Sequence, residues 1–332
     1  MSATAQQDLP APGHLHSAFE THLRELAVIS AERLTPDVIH IVLAHPDGRT
    51  LTSFEPGSHL VVHAGDRRNA YSLVGDGINP RSYRISVLRQ GTGGGSHWLH
   101  ENLRTGSTVQ IEGPRSMFSP DPSAKKLLLV AAGIGITPVL SHALAAARWD
   151  RPAEVIYIYR PGFAAHLDDL RELAYDGAID LHEAHGRLAG IELMRRRFPL
   201  QPFGTHAYAC GPLAMLDAYR TLGLEAGWPE ERLHLERFEA PQREPGNEFT
   251  VKVSSTGELV TVPPGISLLE RLLEAGHAIP NLCRQGVCGE CRIPVRSGRV
   301  HHRDLVLNDE EKNAQTEMLC CVSRGEEIEV DL

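Results

Sequence analysis

The chain has no excess of positive charge. Across 332 residues, Asp and Glu outnumber Lys and Arg by 42 to 33, a formal net charge of −9, which argues against a nucleic-acid binder, because phosphate backbones are met by Lys/Arg patches. It has no apolar run approaching 18 residues, so no membrane span is expected. Its first 20 residues are small and polar, broken by Pro10 and Pro12, with neither an apolar signal core nor an Arg-rich amphipathic pattern. A flexible terminus without a targeting signal, and hence a cytoplasmic protein, is the expectation. There is no internal repeat. Cysteine is scarce, six in the whole chain, which fits a reducing compartment and leaves no case for a disulfide framework.

Five of the six cysteines lie between residues 283 and 321. Cys283, Cys288 and Cys291 are spaced C-x4-C-x2-C, and Cys321 follows 30 positions after Cys291. This is the plant-type ligand run of a 2Fe–2S cluster. Two ferric ions call for four soft, negatively charged sulfurs, and Gly286 and Gly289 let the loop fold over them with backbone N–H groups turned inward. A structural zinc site usually pairs two C-x2-C knuckles, and this chain has one. Cys320 beside Cys321 leaves the fourth ligand open between the two at this point.

A chain of this length holds two or three domains. After residues 1–20, short alternating segments recur at 23–29, 38–43, 59–63, 83–88 and 108–112, separated by turns such as Pro56-Gly57 and Thr105-Gly106. They predict a small antiparallel barrel over 21–121. Two motifs interrupt it. One is Arg68-Asn69-Ala70-Tyr71-Ser72-Leu73. The other is Gly91-Thr92-Gly93-Gly94-Gly95-Ser96, with Ser96 as N-cap of a helix over 97–103. A glycine turn opening a helix presents free N–H groups suited to a phosphate.

Over 122–236 the pattern changes to an α/β unit with a parallel sheet. Lys126–Ala132 is a continuous apolar run, as a buried parallel strand requires, and Gly133-Ile134-Gly135-Ile136-Thr137-Pro138 leads into an apolar-periodic helix. Strands are expected at 154–159 and 206–209, the latter followed by Cys210-Gly211-Pro212. Both glycine turns then sit at strand carboxyl ends, where open α/β sheets bind ligands. Pro138 stands where the G-x-G-x-x-G fingerprint has its third glycine. Residues 237–247, with Pro241 and Pro245, read as a linker. Beyond it, 248–332 offers a hairpin around Thr256-Gly257, a helix capped by Ser267 and stopped by Gly276, the cysteine loop and a closing strand at 327–331. That order suggests a β-grasp ferredoxin.

Taken together, Tyr71-Ser72-Leu73, Gly94-Gly95-Ser96, Gly133 through Pro138, Cys210-Gly211-Pro212, His234-Leu235-Glu236-Arg237-Phe238, His302-Arg303-Asp304 and the four cysteines resemble the phthalate dioxygenase reductase family, reductase components of Rieske oxygenases. In detail the chain looks closer to the carnitine- and vanillate-type monooxygenase reductases. The resemblance covers nearly everything beyond residue 20. It implies a flavin barrel, an NAD(P)-binding domain and a 2Fe–2S ferredoxin domain, carrying electrons from NADH, with NADPH as the alternative, through FMN and the cluster to a terminal oxygenase. It places Asn69, Tyr71, Ser72 and Leu73 at the flavin, Ser72 near N5, and Gly94, Gly95 and Ser96 at its phosphate. Gly133, Ile136 and Thr137 would line the nucleotide cleft, Cys210 and Gly211 would meet the nicotinamide, and Glu236 and Phe238 would close the site. Ser72, Cys210, Glu236 and Phe238 would take part in the reaction. Cys321-Val322-Ser323-Arg324 matches how the family ends its cluster site, which implies Cys321 as the fourth ligand and Cys320 as a buried spare thiol.

Two positions depart from the family pattern. Asn69 stands where the family has an arginine two places before the tyrosine, which leaves Arg68, Arg84 or Arg89 to supply the charge. Arg160 stands where an acidic residue usually ends the ribose-reading strand, which keeps NADPH open. A haem-thiolate monooxygenase is the alternative partner to a Rieske oxygenase.

Overall fold

A computed structural model describes residues 23–332 except Asp66, Thr92, Gly93, Met117 and 240–242. The expected flexible terminus, part of the first glycine-rich turn and part of the linker lie outside the described residues.

Six strands form the first sheet: β1 (Arg24–Thr35), β2 (Val38–Ala44), β3 (Ser58–Ala64), β4 (Arg67–Ser72), β5 (Ser82–Leu88) and β6 (Thr108–Ser116), in the order β4-β3-β6-β1-β2-β5. Every pairing is antiparallel. The bridge from Leu73 to Ile85 joins the two end strands and closes the barrel. Leu26, Ile41, Leu60, Ile85 and Ile111 fill it, each fully buried. The segment expected only to interrupt the barrel is strand β4. Its Arg-Arg-Asn start hides the strand period, because one face of an end strand meets solvent and charge. Helix α1 (Gly95–Asn102) starts two residues before its expected first residue, with Gly94 rather than Ser96 at the N-cap. The Ser96 hydroxyl instead accepts from the Gln90 N–H at 3.2 Å and ties the turn to β5.

The second sheet is parallel, with strands β7 (Lys126–Ala132), β8 (Ala153–Tyr159), β9 (Asp180–His185), β10 (Thr205–Cys210) and β11 (Leu233–Glu236) in the order β11-β10-β7-β8-β9. Helices α2 (Ile136–Arg148), α3 (Leu167–Tyr175), α4 (Arg187–Arg197) and α5 (Leu213–Glu225) flank it. Strand order reverses between β7 and β10, which makes their carboxyl ends the topological switch point. Two apolar layers, one around Leu129, Val155 and Leu140 and one around Val130, Ile156 and Met194, cover the sheet's faces.

The third sheet is the β-grasp: β12 (Phe249–Val253), β13 (Leu259–Val262), β14 (Arg292–His301), β15 (Glu317–Leu319) and β16 (Arg324–Val330), ordered β13-β12-β16-β14-β15, with β12 and β16 parallel. Helix α6 (Leu268–Glu274) packs Leu268, Leu269 and Leu272 on it, and Ser267 and Glu270 form the capping box that starts it. A short α7 (Asp309–Ala314) precedes β15. Among the described residues no helix is long and apolar enough to cross a membrane.

Candidate functional site: a cleft shared by three sheets

The cysteine loop connects α6 to β14. Cys283 and Cys288 are half-buried, while Cys291 and Cys321 are buried behind them. The sulfurs interact as pairs: Cys283 with Cys288, and Cys291 with Cys321 and Cys320. Two pairs of thiols suit two irons, each held by two sulfurs. Cys320 is fully buried in the ferredoxin core, and its thiol donates to the Cys291 carbonyl at 3.2 Å. The Cys288 thiol and the N–H groups of Val287 and Gln285 lower the Cys283 thiol from its ordinary value, with the Gln285 nitrogen 3.3 Å from the sulfur. Thiolate is the form a cluster needs. Gly286 is required here: at φ +69° a Cβ would come within 2.6 Å of the Val322 side chain.

A cleft of about 1380 Å³ opens between this loop, the barrel and the parallel sheet. The barrel contributes Asn69, Tyr71 and Ser72 from β4 and Gly94, Gly95 and Ser96 from the start of α1; the cysteine loop contributes Cys283 and Cys288. The parallel sheet contributes Ile134 and Thr137 from the first glycine turn, with Glu236 and Phe238 from the end of β11. Three cleft-lining residues carry buried polar atoms without a protein partner: Asn69 Oδ1, the Tyr71 hydroxyl and Glu236 Oε2. Such atoms are costly unless a ligand or water completes them. A Cβ on Gly95 would lie 2.0 Å from Asn69 Oδ1, so glycine is what lets Asn69 reach the first turn of α1. This donor set fits a planar, polar-edged cofactor with an anionic tail at the helix N-terminus. Burial raises the Tyr71 hydroxyl well above its ordinary value and pushes the Glu236 carboxyl up to about 8.

At the switch point the two strand ends touch. A Cβ on Gly135 would sit 2.1 Å from the Cys210 carbonyl oxygen, and one on Gly211 would sit 2.9 Å from the Ala132 side chain. Cys210 pairs in register with Glu236. Its thiol is fully buried, and burial, then the Glu236 carboxylate, raise it well above the ordinary thiol range.

Comparison with known proteins gives this cleft a setting. Residues 251–325 match the family described as 2Fe-2S iron-sulfur cluster binding domain, and residues 111–233 match the dimethylamine monooxygenase subunit DmmA-like, N-terminal domain. The chain is 38% identical over 306 residues to the Heme-dependent oxidative N-demethylase beta subunit of Ectopseudomonas mendocina (strain ymp), spanning 91% of this chain and 96% of that one. The solved structure of phthalate dioxygenase reductase, described as modular for electron transfer from pyridine nucleotides to [2Fe-2S], superposes with a TM-score of 0.75 at 34% identity, over 94% of this chain and 98% of that one. The chain belongs to the phthalate dioxygenase reductase family. It is accordingly an oxidoreductase with a 2Fe–2S ferredoxin domain, the reductase component of an oxygenase system. It also spans 41% of an intact type IV self-sufficient cytochrome P450 monooxygenase, with a TM-score of 0.75 at 32% identity.

Not every residue expected from the phthalate dioxygenase reductase pattern reaches the cleft. Leu73 is fully buried in the barrel core. Ile136 starts the apolar stripe of α2 with Val139, Leu140 and Ala143 and is fully buried, so Ile134 takes its place at the cleft. Gly133 adopts φ +55° at the head of the turn. Arg160 is exposed beyond β8, its guanidinium 4.8 Å above the Phe163 ring. None of the three arginines considered beside Asn69 lies against the first turn of α1. Strand alternation turns Arg68 away from Asn69; it lines the cleft on the cysteine-loop side and pairs with Glu112 at 2.7 Å. Arg89 pairs with Glu101 at 3.1 Å, and Arg84 stands near His40 and Asp169. Arg67 does share a face with Asn69 and lines a second hollow of about 200 Å³ against Gly94. The sequence did not single out Arg67, although a count of two along the strand finds it.

Proposed function

We propose that the cleft receives a nicotinamide nucleotide from the parallel-sheet side and an FMN from the barrel side, and that the protein passes electrons onward through the 2Fe–2S cluster to a Rieske non-haem iron oxygenase. The observation carrying this reading is the single cleft walled by the α1 turn, the switch-point turn and the Cys283/Cys288 edge of the cluster loop. A nicotinamide gives up a hydride and an iron–sulfur cluster takes one electron; a flavin, when bound, supplies the chemistry that joins the two.

The residues have distinct tasks in this reading. The N–H groups of Gly95 and Ser96 and the Arg67 side chain hold the phosphate, while Asn69, Tyr71 and Ser72 meet the ring system. Thr137, Glu236 and Phe238 shape the nicotinamide side, with Gly133, Cys210 and Gly211 framing the switch point behind them. Arg160 lies toward the adenosine end, where stacking favours NADH and a 2′-phosphate contact would favour NADPH. A plant-type cluster near −400 mV and a Rieske centre at about −150 mV or above are separated by ~250 mV, roughly four decades in a one-electron equilibrium. Onward flow is therefore strongly favoured. Six free cysteines in the described residues accord with the cytoplasm.

A haem-dependent partner is the second reading, favoured by the haem-dependent demethylase subunit and the cytochrome P450 monooxygenase among the similar proteins. One experiment separates the two. The reductase and NADH are mixed anaerobically with a Rieske oxygenase and, separately, with a haem oxygenase under carbon monoxide. Bleaching of the Rieske centre supports the first reading, and a shifted Soret band the second. FAD rather than FMN released on denaturation overturns the flavin assignment.

A further inference from the structure

On the outer face of the barrel, Glu112 of β6 is a buried carboxylate, its side chain 5% exposed. It accepts from Arg68 at 2.7 Å, from His63 at 2.8 Å and from Arg115 at 3.4 Å. Both arginines continue into the ferredoxin domain. Arg68 donates to the Asn281 carbonyl at 3.4 Å, and Arg115 pairs with Glu290 at 3.1 Å. Asn281 precedes the first cluster ligand by two residues, and Glu290 lies between Cys288 and Cys291. The barrel therefore grips the ligand run at both ends. Glu112 with its two guanidinium groups carries a net positive charge, which meets a carbonyl oxygen and a carboxylate on the loop. The two arginines would repel each other without Glu112 between them, so the buried carboxylate sets their spacing.

We propose that Glu112, Arg68, Arg115 and Glu290 form a latch between the barrel and the cluster loop, and that this latch fixes the distance over which electrons cross from the barrel side of the cleft to the cluster. The rate consequence rests on the carrier order given above; the latch itself does not. Arg115 and Glu290 are positioning residues, acting through the loop they hold.

The test uses the holoprotein with spin labels at exposed barrel and ferredoxin positions, Glu32→Cys and Thr256→Cys. Wild type gives a narrow distance distribution. Arg115→Ala and Glu290→Ala each broaden it, the double variant is no worse than either alone, and Arg115→Lys, which keeps a cation between Glu112 and Glu290, stays narrower than Arg115→Ala. In rapid mixing with NADH, the rate of cluster reduction divided by the rate of flavin reduction falls about fivefold in the single variants, the scale of a half-exposed ion pair. It falls less in Arg115→Lys than in Arg115→Ala, and the difference from wild type vanishes at high salt. An unchanged distribution in both single variants overturns the latch, as does an Arg115→Lys variant no narrower than Arg115→Ala. If the carrier order is wrong, the rate arm fails while the distance arm still decides.

Discussion

The cluster loop and the cleft wall are neighbours built in opposite ways. Three of the loop's four sulfurs come from residues 283–291, and side-chain type alone states their chemistry. The cleft wall is assembled from β4, the start of α1, the turn after β7 and the end of β11, from residues as common as Asn69, Tyr71 and Glu236. What marks these residues is an unsatisfied polar atom apiece, facing one space. The loop depends on identity and should fail outright when a donor is lost. The cleft depends on position and should fail by degrees.

The largest effect should come from the loop. Replacing Cys321 with Ser is expected to abolish the visible iron–sulfur bands and cut bound iron to below half. Cys320→Ser should retain both and instead lose roughly 1–3 kcal/mol of unfolding free energy, the cost of a poorly satisfied hydroxyl in an apolar core. Iron analysis and thermal melts of the two variants check this. Retained bands in Cys321→Ser, with bands lost in Cys320→Ser, would reverse the ligand assignment.

Behind the cleft, the two glycines of one turn make the next contrast. At Gly135 a Cβ would collide with the Cys210 carbonyl at 2.1 Å, while at Gly133 nothing stands within 4 Å and only φ +55° resists a side chain. Gly135→Ala must push the ends of β7 and β10 apart and should destabilise by about 2–3 kcal/mol. Gly133→Ala should cost about 1 kcal/mol, the price of a left-handed residue. Nucleotide-driven flavin reduction should fall further in Gly135→Ala. Denaturant unfolding of both variants measures the difference, and equal losses would mean that the switch point tolerates separation.

These glycines also mark where sequence reasoning stops. Strand β7 was legible to its last residue, because Lys126–Ala132 is apolar on both faces. Ser267 was legible as an N-cap because its partner, Glu270, is three residues away. The reason for Gly135 lies 75 positions along the chain, in a carbonyl that only the sheet order brings near. Strands β4 and β9 escaped notice because Arg-Arg-Asn and Asp-Leu-His-Glu alternate too weakly at sheet ends. Ile136 was misplaced although its spacing to Val139, Leu140 and Ala143 already announces a core stripe. Cys283, Cys288 and Cys291 were legible because their spacing is itself the signal, whereas the choice of Cys321 over Cys320 needed the family's ending at Cys321-Val322-Ser323-Arg324.

Acid–base behaviour gives a graded test of the cleft. An unfolded glutamate ionises near 4.5, but burial holds the Glu236 carboxyl protonated to about 8. Unfolding therefore releases a proton between those pH values, and this residue's contribution to stability is full below 4.5 and declines as pH rises through 8. Glu236→Gln, neutral throughout, should match wild type near pH 4.5 and exceed it by roughly 2–4 kcal/mol at pH 8, at up to 1.36 kcal/mol per pH unit. Thermal unfolding across pH 5–9 reads this directly; a pH-independent difference would mean that Glu236 ionises normally.

The smallest effect returns to the loop, where position should matter more than identity. Arg284 and Arg292 each follow a proposed cluster ligand, yet their surroundings differ. Arg292 lies between Glu317 at 2.9 Å and Glu311 at 3.4 Å, which answer its charge locally. Arg284, in the left-handed region at φ +53°, donates to the neutral Asn281 amide at 3.0 Å. A reduced cluster carries one more negative charge than an oxidised one, so a nearby guanidinium without a carboxylate favours reduction. Solvent and salt weaken that attraction. Arg284→Gln should therefore lower the cluster potential by roughly 20–60 mV, where 59 mV is one decade for one electron. Arg292→Gln should lower it less, because it also frees two carboxylates to turn elsewhere. Redox titration of the two variants checks the order. If Arg284→Gln leaves the potential unchanged but weakens coupling to the oxygenase, its charge acts on the partner and not on the cluster.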